Sequence, residues 1–188
     1  MIESRRRAIT FALLGIISGA ISTAGIIPFA PPSDFDLLAM FVVPGFAFGV
    51  VIGLALAFYG WLSPRRVLTW VVVATLGHLA AALCVTAMTW RLQAALPLKE
   101  QSAILIASVL GGGLGGGMLA AANRFLVAGA RWIAPTIVGA VLGPLVLLHD
   151  AGPVFGGLLF YMIWQGGYAA TLAVALPASE RAYQAKKQ

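Results

Sequence analysis

The sequence is poor in the residues that most chemistry needs: it has one cysteine, Cys84, and six acidic residues in 188 positions. A single cysteine closes no intrachain disulfide and builds no cysteine-based metal site. The few carboxylates, none of them deep within an apolar run, do not supply the paired acids of a hydrolase or an oxygen-ligand metal site. Also missing are a zinc-protease histidine pair, a nucleophile elbow and a lysine-bearing phosphate loop. Nothing specifies a cofactor. No stretch alternates apolar and polar residues as a barrel strand would. The formal charge of +6 is not gathered on one face, because lysine and arginine fall singly or in twos and threes. This argues against a nucleic-acid partner.

What the sequence has in quantity is apolar surface. It is 61% hydrophobic and 10% charged, with a mean hydropathy of +0.96, well beyond an ordinary soluble domain. Lipid as the solvent for much of that surface resolves the imbalance. About 20 apolar residues at 1.5 Å rise cross the hydrocarbon layer as a helix. Six runs near that length occupy residues 8–27, 36–62, 67–90, 102–126, 132–149 and 154–176. The gaps carry turn residues, among them Pro28, Pro31, Pro32, Ser33, Ser63, Pro64, Pro97, Gly152 and Pro153. The expected fold class is an all-α integral membrane protein, a compact bundle of about six transmembrane helices in one polytopic domain over 1–188.

Lysine and arginine resist translocation and gather on the cytoplasmic side. With the amino terminus inside, Arg5, Arg6, Arg7, Arg65, Arg66, Arg124, Arg131, Arg181, Lys186 and Lys187 are all cytoplasmic. Of the twelve basic residues only Arg91 and Lys99 fall outside, where Asp34, Asp36, Glu100 and Asp150 also lie. Both termini are therefore expected inside, and the short loops suit a bacterial inner (plasma) membrane. Trp61, Trp70, Trp90 and Trp132 fall near the interfaces, as belt anchors do. The first run also has the arginines and small residues of a cleavable signal, but its apolar stretch continues to Ile27, which favours a retained helix.

Glycines recur four apart: Gly15 and Gly19; Gly45, Gly49 and Gly53; a cluster from Gly111 to Gly117 that includes Gly112 and Gly116; Gly139 and Gly143. Such stripes let helix backbones approach closely in lipid. The cluster in the fourth segment has a second reading, a bent or unwound helix beside a ligand cavity, since each glycine weakens a helix by about 1 kcal/mol. Aligning Gly77 with Gly166 matches alanines, a leucine and a valine between the third and sixth segments. Nearly the same offset sets Gly49 and Gly53 opposite Gly139 and Gly143. Three helices per half would make this a 3+3 inverted repeat, an arrangement that places transporter sites near the midplane.

His78 sits near the middle of the third segment, where an unpartnered polar ring costs several kcal/mol. Such a residue is either a ligand contact or proton relay, or a neutral ring bonded to a neighbouring helix. Gln165, beside Tyr161, Trp164 and Tyr168 in the sixth segment, is its natural partner, and the five would line a pocket of aromatic faces with few polar atoms. Outside, Asp34, Asp36, His149 and Asp150 have no metal-ligand spacing, and no metal is expected. His78 and His149 lie at different depths, which disfavours a haem pair. Arg124, after Asn123, reads as a snorkelling headgroup contact.

Three functions are compatible with these residues. The first is a small-solute transport component with a pocket between helices near mid-membrane, its partners being lipid, a small-molecule ligand and other membrane subunits or further copies of the chain. The second is a non-catalytic accessory or assembly subunit of a larger membrane complex. The third, an enzyme acting on lipid or isoprenoid, lacks acid and base groups. The first helix carries alanines four apart, Ala8 and Ala12, then Ala20 and Ala24. In this pattern, in size and in helix count the chain resembles the substrate-binding subunits of energy-coupling-factor vitamin transporters. That resemblance implies a solute-binding membrane subunit that docks a partner through this helix, and it carries over no binding residue.

Overall fold

The computed structural model describes residues 2–26 and 34–177. The gap at 27–33, with its prolines, and Arg181, Lys186 and Lys187 lie outside the described residues, as do the side chains of Asp34 and Asp36. Among the described residues the chain is all helical: α1 (Ile2–Ile26), α2 (Asp34–Phe58), α3 (Pro64–Ala95), α4 (Glu100–Leu126), α5 (Ile133–Leu142) and α6 (Pro153–Ala175). A 3₁₀ helix, Gly143–Ala151, joins α5 to α6. Counting α5 with this continuation, six helical segments are long and apolar enough to cross a membrane. Several extend past the apolar runs into polar flanks, because hydropathy marks only the apolar part of a helix. The 32 residues of α3 rise about 48 Å against a hydrocarbon core of about 30 Å.

Each helix packs on its sequence neighbours, and α6 returns against α1, so the six close a ring in chain order. The most extensive crossings are α1 with α6 and α3 with α4. Both depend on glycine. A Cβ on Gly19 would lie 2.6 Å from the backbone of Tyr161 and Met162, and one on Gly111 would lie 2.9 Å from the Ala81 carbonyl. Between α2 and α3, Gly45 and Gly49 lie against the backbone of Ala74, Thr75 and Val71, and Gly53 lies against the Trp70 ring. Between α4 and α5, Gly112 and Gly116 face Gly139 and Gly143.

The glycine cluster of α4 is continuous helix, so the unwound reading is corrected. Its helix weakness is offset because α3 and α5 pack directly on the glycine backbone. The ladder changes instead at Gly143. Pro144 has no N–H to return to the Ala140 carbonyl, and the nine residues Gly143–Ala151 wind as 3₁₀. At about 2.0 Å per residue, this 3₁₀ run lets α5, only ten residues long, and its continuation together reach about 33 Å.

Inside the ring lie Phe11, Phe48, Ile52, Leu56, Trp70, Tyr168 and Leu172, all buried. Outward faces are apolar too, for example Ile9, Leu13, Ile17 and Ile21 along α1. Arginines tie one end together: Arg7 Nη1 donates to the Pro177 carbonyl, 3.0 Å, and Arg66 Nη1 to the Leu126 carbonyl, 3.1 Å. The Arg7 guanidinium also sits 5.5 Å from the Trp61 ring centre.

Candidate functional site

A cavity of about 280 Å³ opens in the half of the ring away from the arginine-rich end. Its α3 wall is His78, Ala81, Ala82, Val85 and Thr86, and its α4 wall is Ser108, Gly111 and Gly112. The 3₁₀ helix contributes Gly143, Val146 and His149, α6 contributes Phe160, Tyr161 and Trp164, and Phe41 of α2 completes it. No Asp, Glu, Lys or Arg side chain is among these residues.

Positions 161 and 164 share a face of α6, since residues three apart lie almost one above the other. This face meets His78: its ring centre is 5.9 Å from that of Tyr161 and 6.3 Å from that of Trp164. Neither nitrogen of His78 has a hydrogen-bond partner among the described residues. Trp164 is stacked on Tyr168 at 5.5 Å, and the Tyr168 hydroxyl donates to the Gly116 carbonyl at 2.6 Å. Tyr168 thus fixes the Trp164 ring from behind and is not itself a wall of the cavity.

Gln165 points elsewhere. One residue beyond Trp164 it is turned by about 100° around α6. Its Nε2 donates to Ser22 Oγ of α1 at 3.0 Å and to the Pro44 carbonyl of α2 at 3.3 Å. It is fully buried there, with Oε1 unpartnered. Of the five residues expected to share a pocket, His78, Tyr161 and Trp164 do, while Gln165 and Tyr168 brace the helices behind it.

His149 joins them instead. Its ring centre lies 5.2 Å from Phe160 and 6.1 Å from Tyr161, so the two histidines meet Tyr161. Sequence reasoning set His149 apart at a helix end. Gly143 and Pro144 carried the missing signal, because they break α5 and let the 3₁₀ helix turn His149 inward. His149 Nδ1 is 2.9 Å from the Val146 carbonyl. A carbonyl only accepts, so Nδ1 carries a proton, and in the neutral ring Nε2 is an acceptor. Ser108 and Thr86 add hydroxyls, but both donate to their own helix, to the Leu105 and Ala82 carbonyls. Asn123, deep in α4 at 1% exposure, has both amide atoms unpartnered among the described residues.

Among the described residues no three His, Cys, Asp or Glu side chains gather where they could hold a metal ion. The cavity can enclose a small uncharged molecule, stack on it and exchange hydrogen bonds through two imidazoles. Comparison with protein-family models, curated proteins and solved structures finds no match.

Proposed function

We propose that this chain is an integral membrane protein that binds a small solute in the His78 cavity, as a solute-binding or transport component. The observation that carries this reading is the uncharged cavity itself, walled by His78, Tyr161 and Trp164. Ligand sites are typically concave, mostly apolar and furnished with a few placed polar groups. The 3₁₀ wall favours the same reading, since long runs of that helix are uncommon and often mark a hinge.

In the proposed topology both termini are cytoplasmic. The joining of Arg7 and Arg66 to the ends of α6 and α4 supports a single arginine-rich face, the pattern of a cytoplasmic surface. The cavity then opens toward the opposite side, and a bacterial inner membrane suits the short loops.

A 3+3 inverted repeat is part of the proposal. Such a repeat makes α3 equivalent to α6 and α4 to α1, and the two principal crossings obey that exchange. Gly77 faces Gly115 across α3 and α4, as Gly166 faces α1, where Gly15 meets it. The pairing of Gly49 and Gly53 with Gly139 and Gly143 lends no support: the first pair faces α3, the second α4.

The rival reading, an accessory or assembly subunit, needs small-residue faces free for another chain. Gly45, Gly49, Gly53, Gly112, Gly116, Gly139 and Gly143 all abut this chain's own helices. Lipid, a further copy or another subunit would cover the outward apolar stripes instead. The test is the small-molecule content of protein purified from its native membrane in mild detergent. The solute reading expects a retained ligand at one-to-one ratio; an empty chain with stoichiometric membrane partners favours the accessory subunit.

A further inference from the structure

We infer that the arginine-rich end carries a second site, a cavity that binds a phosphate-bearing anion, either the headgroup of an acidic phospholipid or a free phosphate compound. The site is independent of the His78 cavity and of what that cavity binds. A space of about 470 Å³ lies where the α2–α3 connection, the α4–α5 connection and the end of α6 come together. Trp61, Ser63 and Arg66 line it at the α2–α3 corner, Leu126 and Ala128 at the α4–α5 corner, and Pro177 beyond α6.

Two guanidinium heads are tied to this lining. Arg66 Nη1 donates to the Leu126 carbonyl at 3.1 Å, and both residues line the cavity. Arg7 Nη1 donates to the Pro177 carbonyl at 3.0 Å while its guanidinium stands 5.5 Å from the Trp61 ring centre, and Pro177 and Trp61 are lining residues too. Each guanidinium keeps further N–H donors beyond the one engaged. Neither arginine has an acidic partner among the described residues. Glu3, the one described acid at this end, is exposed and pairs with neither.

Charge decides the ligand class. Two cations held at one cavity without a counter-charge repel each other, so an anion between them is favoured and a further cation is not. Arg7 Nε and Trp61 Nε1 are buried without a partner, and both can only donate. The Ser63 hydroxyl is free as well, since it makes no capping bond to α3. What this end lacks is a negative acceptor. Guanidinium forks match phosphate oxygens in paired bonds, and basic pockets between transmembrane helices hold acidic lipid headgroups. The volume equals about sixteen waters at about 30 Å³ each, room for a phosphate with the groups esterified to it.

The experiment offers the purified, delipidated full chain dioctanoyl-phosphatidylglycerol, dioctanoyl-phosphatidylcholine, octanoate and inorganic phosphate, with binding read by native mass spectrometry. One phosphatidylglycerol per chain is expected to bind about tenfold more tightly than phosphatidylcholine, the worth of one charge-assisted hydrogen bond, and octanoate not measurably. Inorganic phosphate as tight as phosphatidylglycerol would identify a free phosphate compound as the source; much weaker phosphate would identify the lipid. Ala128→Glu sets a carboxylate among the lining residues and leaves both arginines, so it should abolish binding. Ser63→Glu replaces it if the first variant is not monodisperse. Arg5→Gln changes the net charge equally at a residue outside the lining and should stay within about twofold of the unaltered chain. No binding, equal binding of the two lipids, tight binding of octanoate, or equal loss in Ala128→Glu and Arg5→Gln would each overturn the inference. Ala82→Phe, which fills the His78 cavity, should bind phosphatidylglycerol as the unaltered chain does. Loss in that variant would place the lipid beside His78 and overturn the second site, whereas the solute reading stands or falls on the molecule retained from the native membrane.

Discussion

Alanine at Gly112 and alanine at Gly113 should move stability in opposite directions, although the two glycines are adjacent in one run of α4. A methyl on Gly112 would meet the Gly139 carbonyl and would lie 2.9 Å from Gly143 Cα. Both are backbone, so no side chain can rotate away and α5 must retreat. Bringing 2.9 Å out to ordinary carbon contact, about 3.5 to 4.0 Å, opens the crossing by up to about 1 Å, and such a gap forfeits a quarter to a half of each contact along it. Overpacking of this kind typically costs about 1 to 3 kcal/mol. The better helix propensity of alanine returns at most about 1 kcal/mol, so a net loss of up to about 2 kcal/mol is expected. A methyl on Gly113 would lie 3.4 Å from the Ala140 methyl, near ordinary contact and with no backbone in its way. Gly113→Ala should therefore keep the propensity gain and stabilise by up to about 1 kcal/mol. Thermal unfolding of both variants in one detergent, followed by circular dichroism, measures the two shifts. Equal shifts, or a stabilised Gly112→Ala, would refute the α4–α5 backbone crossing.

Gln165→Leu should leave solute binding within about twofold of the unaltered chain, because the amide braces Ser22 and Pro44 outside the cavity. Its effect on melting should be small as well, since two hydrogen bonds are lost while an unpartnered buried carbonyl is removed. Tyr168→Phe should lower stability by about 1 kcal/mol through loss of the bond to the Gly116 carbonyl, and should weaken binding through the loosened Trp164 ring. In a Cys84→Ala background, cysteine placed at Arg65 should resist a membrane-impermeant maleimide in intact cells and one placed at Leu98 should react; the reverse pattern would invert the proposed topology.

Much of the architecture was legible because long apolar runs follow a coarse rule. Six runs of apolar residues announced six helices, and Gly45, Gly49, Gly53, Gly112, Gly116, Gly139 and Gly143 announced close crossings. Which helix each glycine meets was not legible, since spacing marks a face and does not name its neighbour. The candidate site was half legible. His78 stood out as a polar ring within an apolar segment, and Tyr161 and Trp164 were picked as aromatic neighbours of Gln165 in the sixth segment. Gln165 was misplaced because neighbouring positions on a helix point about 100° apart. His149 was missed because hydropathy treats a segment as one uninterrupted helix, whereas Pro144 changes its winding halfway across.

The most direct measurement is native mass spectrometry of the chain and of Ala82→Phe, each purified from the same membrane in mild detergent. The proposal expects one small molecule bound to the unaltered chain and none to the filled variant, with both proteins monodisperse. The same molecule retained by both, at the same ratio, would mean that the cavity beside His78 is not where the solute binds.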